Sequence, residues 1–349
     1  MKKRIVICAD GTWNRPEKNV DKDFPTNVLK LSRSIQPLGE DNIPQQVFYD
    51  WGIGSYYDPI IGGATGKGLH KNIMDDYRYI VQNYSPGDEL FLFGFSRGAY
   101  TIRCLCGMIN NCGIIKRTDA ALIQQAFDHY KNGKPEYAPK GTASVEFRQK
   151  YSHESKDVKF VGVWDTVGAM GIPVSFLGFL EEKDEFYDTK IGSNVRIARH
   201  ALAIDEHRVD FKPTIWAPKE NMDMKQVWFA GAHCDIGGSY KPDDNYASLS
   251  NVPLNWMIKE AEKAGLTIES HLKDSVSVKA KLDPFAKLHK SRIHFYELKR
   301  KYNRAIQDVT GQVLIHQSVK QRFDQDKRYR PSNLNRYLKK AGWPEELVS

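Results

Sequence analysis

Apolar positions along this chain gather into short, nearly unbroken runs. Five of them, at Arg4–Ala9, Gln46–Trp51, Glu89–Phe95, Val158–Trp164 and Gln226–Ala230, end in polar, glycine-bearing segments. Runs of this length without alternation predict strands buried on both faces, as in a parallel sheet. Helix-period or loop segments separate them, the pattern of β-α-β units. The fold class read from this is α/β, a mainly parallel, doubly wound sheet with helical insertions. A helix is expected near Leu254–Ala264, where Pro253 suits an N-terminal position. The polar stretch Arg117–Asp157 reads as a helical insertion, and residues from about 265 to 349 as a basic helical C-terminal extension. With no internal repeat and no low-complexity linker, residues 1–349 read as a single domain.

The loops after the five runs hold most of the chemistry. They are Asp10-Gly11-Thr12-Trp13-Asn14, Gly52-Ile53-Gly54, Gly94-Phe95-Ser96-Arg97-Gly98, Asp165-Thr166-Val167-Gly168 and Gly231-Ala232-His233-Cys234-Asp235. Ligand sites of open α/β sheets lie beyond the carboxyl ends of the strands, so these loops are expected to converge on one edge. The third is a Gly-x-Ser-x-Gly sequence between a predicted strand and a predicted helix. That is the setting of a nucleophile elbow, where the glycines clear space around a strained serine.

A serine hydroxyl needs a base within hydrogen-bond reach and an acid to orient that base. Ser96, Asp165 and His233 follow one another in the order nucleophile, acid, base. Asp235 is an alternative acid, and His200 and His207, read in a helical or helix-end context, are alternative bases. Ester hydrolysis also needs donors toward the developing oxyanion. The backbone N–H of Arg97 is one, and Gly11 and Thr12 offer a second from the first loop. Trp13, Phe95, Phe176 and Phe179 are candidates for lining a substrate pocket, the last two within the apolar patch Phe176–Leu180.

Composition narrows the partners. A net charge of +8 and a pI near 9.0 favour polyanionic surroundings. Zinc-finger spacings, RNA-recognition signatures and basic heptads are missing, so an anionic membrane surface is expected ahead of any specific nucleic acid. No apolar stretch reaches the roughly 18 residues of a membrane span. The apolar run Ile5–Ala9 is too short for the core of a signal peptide. Cys8, Cys104, Cys106, Cys112 and Cys234 are scattered and odd in number, predicting reduced thiols. The expectation is a chain that is cytoplasmic as synthesised, with export by a route that needs no signal peptide left open. Gly62-Gly63-Ala64-Thr65-Gly66-Lys67 departs from the phosphate-loop pattern in glycine spacing and in the residue after the lysine. No cofactor is expected.

Taken together, Asp10–Asn14, Gly94–Ala99, Val163–Gly168 and His233–Gly238 resemble the α/β-hydrolase family catalogued as domain of unknown function 2235. His200–Arg208, Val252–Met257, His316–Val319 and Tyr329–Pro331 extend the resemblance over nearly the whole chain. That family includes the class-one phospholipase effectors of bacterial type VI secretion. The resemblance implies an α/β-hydrolase fold, a triad on Ser96, Asp165 and His233, and phospholipase A activity. Residue 234 departs from it, a cysteine where a small polar residue is expected. The reading is therefore a serine-dependent hydrolase of lipid esters. Two alternatives stay open: a metal-assisted phosphoester hydrolase on Asp10, Asp165, His233 and Asp235, and a catalytically idle hydrolase scaffold that acts as a binding module.

Overall fold

The computed structural model describes residues 2–19, 23–52, 54, 66–168, 191–220, 222–245, 247–270, 281–293, 295–306 and 313–349. The apolar patch Phe176–Leu180, and with it Phe176 and Phe179, lies outside these residues, as does most of the glycine-rich stretch from residue 62.

Seven parallel strands form one sheet: β1 (Arg4–Ala9), β2 (Gln45–Asp50), β3 (Glu89–Phe95), β4 (Val158–Trp164), β5 (Val195–Ala203), β6 (Asp223–Phe229) and β7 (Leu314–Ile315), in the order β2-β1-β3-β4-β5-β6-β7. Every described pairing is parallel. The order reverses between β1 and β3, which opens a crevice at the carboxyl ends of those two strands.

Successive side chains of a strand point to opposite faces, and each face has its own core. Ile5, Ile7, Leu90, Leu92, Val161 and Val163 meet one layer of helices, α2 (Gly66–Asn83) and α3 (Arg97–Cys112). Val6, Cys8, Phe91, Phe93, Phe160 and Trp164 face the other, built from α1 (Asn27–Ser32) and a later helix at Asn251–Lys263 that includes Trp256 and Met257. Each such side chain fully withdrawn from water contributes about 1.5–3 kcal/mol before chain entropy is set against it. The segment after α3 is helical, with α4 (Ala120–Lys131) and α5 (Thr142–Tyr151) joined through a short 3-10 turn at Pro135–Tyr137. Asp119 caps α4, its carboxylate accepting from Ala121 N at 2.8 Å.

α6 (His233–Gly237) follows β6, and α7 (Asn251–Lys263) starts close to the sequence expectation with Pro253 in its first turn. Beyond it come α8 (Phe295–Leu298), α9 (Gln317–Gln325) and α10 (Ser332–Ala341). Ile315, Val319, Tyr329 and Leu334 from this region pack on Leu202, Ile204 and Trp228 at the β6–β7 side. Among the described residues, no helix is long and apolar enough to cross a membrane.

β5 is a correction. The sequence reading placed His200 in a helical context, and it lies within a strand. Arg199 is buried there because Glu260 of α7 accepts from its Nε at 2.5 Å and Asp223 from Nη2 at 2.9 Å. His200 is buried beside it, its Nε2 accepting from Thr166 N at 3.2 Å.

Candidate functional site

At the end of β3 the chain turns abruptly into α3, and Ser96 at the turn has φ 57° and ψ −120°. A side chain rarely adopts this backbone conformation, and here both neighbours hold it: Ser96 N donates to Trp164 O at 3.1 Å, and Tyr100 N donates to Ser96 O at 3.2 Å. The flanking glycines allow the turn to pack. A Cβ on Gly94 would stand 2.6 Å from Gly98 O, and one on Gly98 would stand 2.2 Å from Ala9 O.

β4 ends next to β3, and Asp165 follows it in the left-handed region with φ 40°. β6 lies two strands further on, and His233 opens α6. The three side chains meet. Ser96 Oγ lies 2.8 Å from His233 Nε2, and His233 Nδ1 lies 2.6 Å from Asp165 Oδ2. All three are buried, Ser96 keeping 8% exposure. The imidazole is held between the rings of Phe95, at 4.6 Å between centroids, and Phe211, at 5.0 Å.

Burial alone would push the Asp165 carboxyl up. The Arg304 charge, with hydrogen bonds from His233 and Arg304, outweighs this and holds it well below the usual carboxylate range. An ionised carboxylate can only accept, so the imidazole proton sits on Nδ1 and Nε2 accepts from the Ser96 hydroxyl. Burial pulls His233 below its ordinary value, while Asp165 pulls the other way.

Arg304 was not among the residues singled out from sequence. It comes from the C-terminal region, is fully buried, and donates to Asp165 Oδ1 at 2.5 Å and Oδ2 at 3.0 Å. The same guanidinium donates to Ala203 O at 3.1 Å and Phe211 O at 2.7 Å. Glu206 was also overlooked: its Oε2 accepts from His233 N at 3.2 Å and from Arg208 Nη2 at 2.8 Å. The density of charge in Asp205-Glu206-His207-Arg208 was the available signal for Glu206. For Arg304, which sits in a generally basic stretch, there was none.

The other candidates separate. Asp235, the alternative acid, caps its own helix by accepting from Ala232 N at 2.9 Å and pairs with His289 Nδ1 at 2.7 Å. His200 faces Thr166 and Gln226, and His207 Nδ1 lies 3.2 Å from Tyr302 O. Asp10 accepts from Thr26 Oγ1 and Tyr49 Oη, both at 2.6 Å, and from Gly11 N at 2.7 Å. That last bond occupies the Gly11 N–H, so Gly11 contributes clearance: a Cβ there would come within 3.2 Å of the Ser96 Cβ. Phe95 is a further correction, since it is 1% exposed and fills the space above Gly237 beneath His233, which makes it core in place of pocket wall. Trp13 is 54% exposed, with the Arg97 guanidinium 5.5 Å from its ring. Among the described residues, no three His, Cys, Asp or Glu side chains cluster as a metal site.

Comparison with known proteins gives relatives of two kinds. An uncharacterized protein of Saccharomyces cerevisiae, YEL023C, is 26% identical over 286 residues, which cover 75% of this chain and 40% of the yeast protein. Among solved structures, an uncharacterized protein from Pseudomonas aeruginosa matches with 14% identity and a TM-score of 0.48, over 81% of this chain and 49% of that one. The Tle1 effector bound to the VgrG spike of the type VI secretion system matches with 19% identity and a TM-score of 0.40, over 73% of this chain and 53% of that one. This chain thus spans about half the length of the relatives it matches, or less. The model of the catalytic domain of Tle1-like type VI secretion phospholipase effectors matches residues 3–260, and the chain belongs to that family.

Proposed function

We propose that the protein is a serine hydrolase that cleaves acyl esters of glycerophospholipids, with Ser96 as nucleophile, His233 as base and Asp165 as the acid that orients it. The observation that carries this reading is the unbroken Ser96–His233–Asp165 relay, with contacts of 2.8 and 2.6 Å. His233 Nε2 takes the Ser96 proton as Oγ attacks the ester carbonyl, and the imidazolium then protonates the leaving alcohol. Water, deprotonated by the same nitrogen, releases the fatty acid from the acyl-serine. The oxyanion is held by the backbone N–H of Arg97, the first residue of α3, together with that of Thr12 in the neighbouring loop. Within this reading the domain is one α/β-hydrolase unit over residues 1–349, with α4 and α5 as its insertion.

The substrate class follows from the family and from the surface near the site. Tyr296 of α8 packs 6.3 Å from Phe211, which in turn touches His233. Around it Ile293 is 49% and Leu298 86% exposed. Lys287, Lys290, Arg300 and Lys301 share this segment. Apolar side chains among cations suit an anionic bilayer, each cation near the surface contributing about 1 kcal/mol. The metal-assisted alternative has less support, because Asp10, Asp165 and Asp235 each spend their oxygens on protein donors.

The test is intact-mass labelling with a fluorophosphonate on wild type, Ser96→Ala and His233→Ala, followed by fatty-acid release from phosphatidylglycerol vesicles. Labelling and release by wild type alone are expected. A folded wild type that takes no label would refute the mechanism and favour the idle scaffold.

A further inference from the structure

The family match ends at residue 260, yet the innermost partner of the Asp165 carboxylate is Arg304, which lies beyond it. We propose that Arg304 is a positioning residue for the relay, pairing with both oxygens of Asp165 so that the carboxylate stays ionised and turned toward His233. The inference rests on the serine-hydrolase reading above and extends it to a part of the chain outside the matched catalytic domain.

The reason is electrostatic and geometric at once. Asp165 is fully buried, and a carboxyl in that position with only a neutral imidazole beside it favours its protonated form. A protonated Asp165 would donate to His233 Nδ1 and so put the imidazole proton on Nε2. In that tautomer His233 has no lone pair for the Ser96 hydroxyl, and the nucleophile is not activated. A planar guanidinium on both oxygens prevents this, and it also fixes the carboxylate plane as a point charge would not. Oδ1 is further held by Ala203 N at 3.0 Å, so rotation of Asp165 is blocked from two sides.

The remaining bonds of Arg304, to Ala203 O at the end of β5 and Phe211 O beside His233, tie the acid loop to the ring that flanks the base. The charged groups facing His233 are Asp165 from the β4 loop, and Glu206 and Arg208 from the β5 loop. Glu206 accepts three hydrogen bonds from Arg208, from the backbone N–H at 2.7 Å and from the guanidinium at 3.0 and 2.8 Å. The Arg304–Asp165 pair is therefore the balance that a change at residue 304 would upset.

The experiment follows the rate of fluorophosphonate labelling at Ser96 in the full chain from about pH 5 to about pH 9, for wild type, Arg304→Met and Arg304→Lys, with thermal unfolding as the check on folding. Arg304→Met is expected to label about a hundredfold more slowly at neutral pH, the usual effect of a small misplacement in a catalytic group. The acid limb of its profile should stand about one unit higher, because an unpaired Asp165 takes up a proton more readily and an unneutralised one makes His233 more basic. Arg304→Lys keeps the charge, so its limb should stay near that of wild type while its rate falls between the two.

A folded Arg304→Met variant with the wild-type rate and limb overturns the proposal. So does an Arg304→Met variant that is slowed while its limb stays unmoved, which would make Arg304 a mere brace. Should Arg304→Met fail to fold, Arg304→Lys decides: a wild-type rate overturns the proposal and a reduced one supports it. Absence of label on wild type would instead strike down the serine reading itself.

Discussion

The strained turn at Ser96 leads to a stability experiment that separates the backbone from the hydroxyl. Ser96→Ala and Ser96→Gly both remove Oγ and its bond to His233. Neither loses a helix cap, because the serine side chain makes no capping bond to α3. The two variants differ in the Cβ, which is what makes φ 57° with ψ −120° costly. A backbone held in such a region stores about 1–3 kcal/mol. Glycine relieves it but adds about 0.5–1 kcal/mol of unfolded-state freedom. The difference leaves Ser96→Gly about 0.5–2 kcal/mol more stable than Ser96→Ala, or about 1–3 °C in melting temperature for a chain of this size. Paired thermal melts at one scan rate, with urea unfolding as a second measure, read this directly. A glycine variant no more stable than the alanine variant would show that the elbow stores no strain, and the argument for a forced nucleophile would fail.

Three further outcomes are expected. Gly98→Ala puts a methyl 2.2 Å from Ala9 O and 2.5 Å from Asp10 O, so β1 or α3 must shift; it should cost about 1–3 kcal/mol in urea unfolding and slow Ser96 labelling at least about tenfold. Burial pushes the Asp50 carboxyl up, and that of its buried neighbour Asp76 as well, so the folded state holds a proton that the unfolded chain releases above about pH 4 and loses that contribution to stability as pH rises toward neutrality. His200, drawn down to about 3 by burial, contributes in the opposite sense, so the test is a difference: Asp50→Asn should gain on wild type between pH 5 and about pH 7.5, and parallel stability curves would contradict this. Leu298→Asp, at a side chain 86% exposed, should change folding stability by less than about 0.5 kcal/mol yet weaken sedimentation with phosphatidylglycerol vesicles, and unchanged sedimentation would remove α8 from the membrane-facing surface.

How much of this was legible in the sequence depended on burial. β1, β3 and β4 read to the residue because strands covered on both faces are apolar but for a charge at or near their starts, at Arg4, Glu89 and Lys159, and the loops after them could then be placed at one edge. β5 escaped because Arg196, Arg199 and His200 interrupt it. Two of these are buried polar groups whose partners, Glu260, Asp223 and Thr166, are distant in sequence. β7 is two residues long and carries no pattern at all. In the site, Ser96, Asp165 and His233 stood at strand ends and could be found one at a time. Arg304 looked like any other cation of the basic tail, because what distinguishes it is a carboxylate 139 residues away that only the folded chain brings near. Phe95 erred the other way: position beside the nucleophile suggested a pocket wall, whereas its alternation with Ser96 along β3 turns the ring into the sheet's core.

The strand order carries a lesson about assembly. From β4 onward every strand pairs with the one that precedes it in the chain, through β5 and β6 to β7. The sheet can therefore lengthen in the direction of synthesis, each new strand finding a finished template as it leaves the ribosome. A chain cut between Phe229 and Leu314 would leave β6 without its partners at Val227 and Trp228, so that its outer edge stays open to pairing with a neighbour. The two residues of β7 act as a doorstop for that growth, and shortened products of this protein should be recovered as aggregates rather than as smaller folded domains.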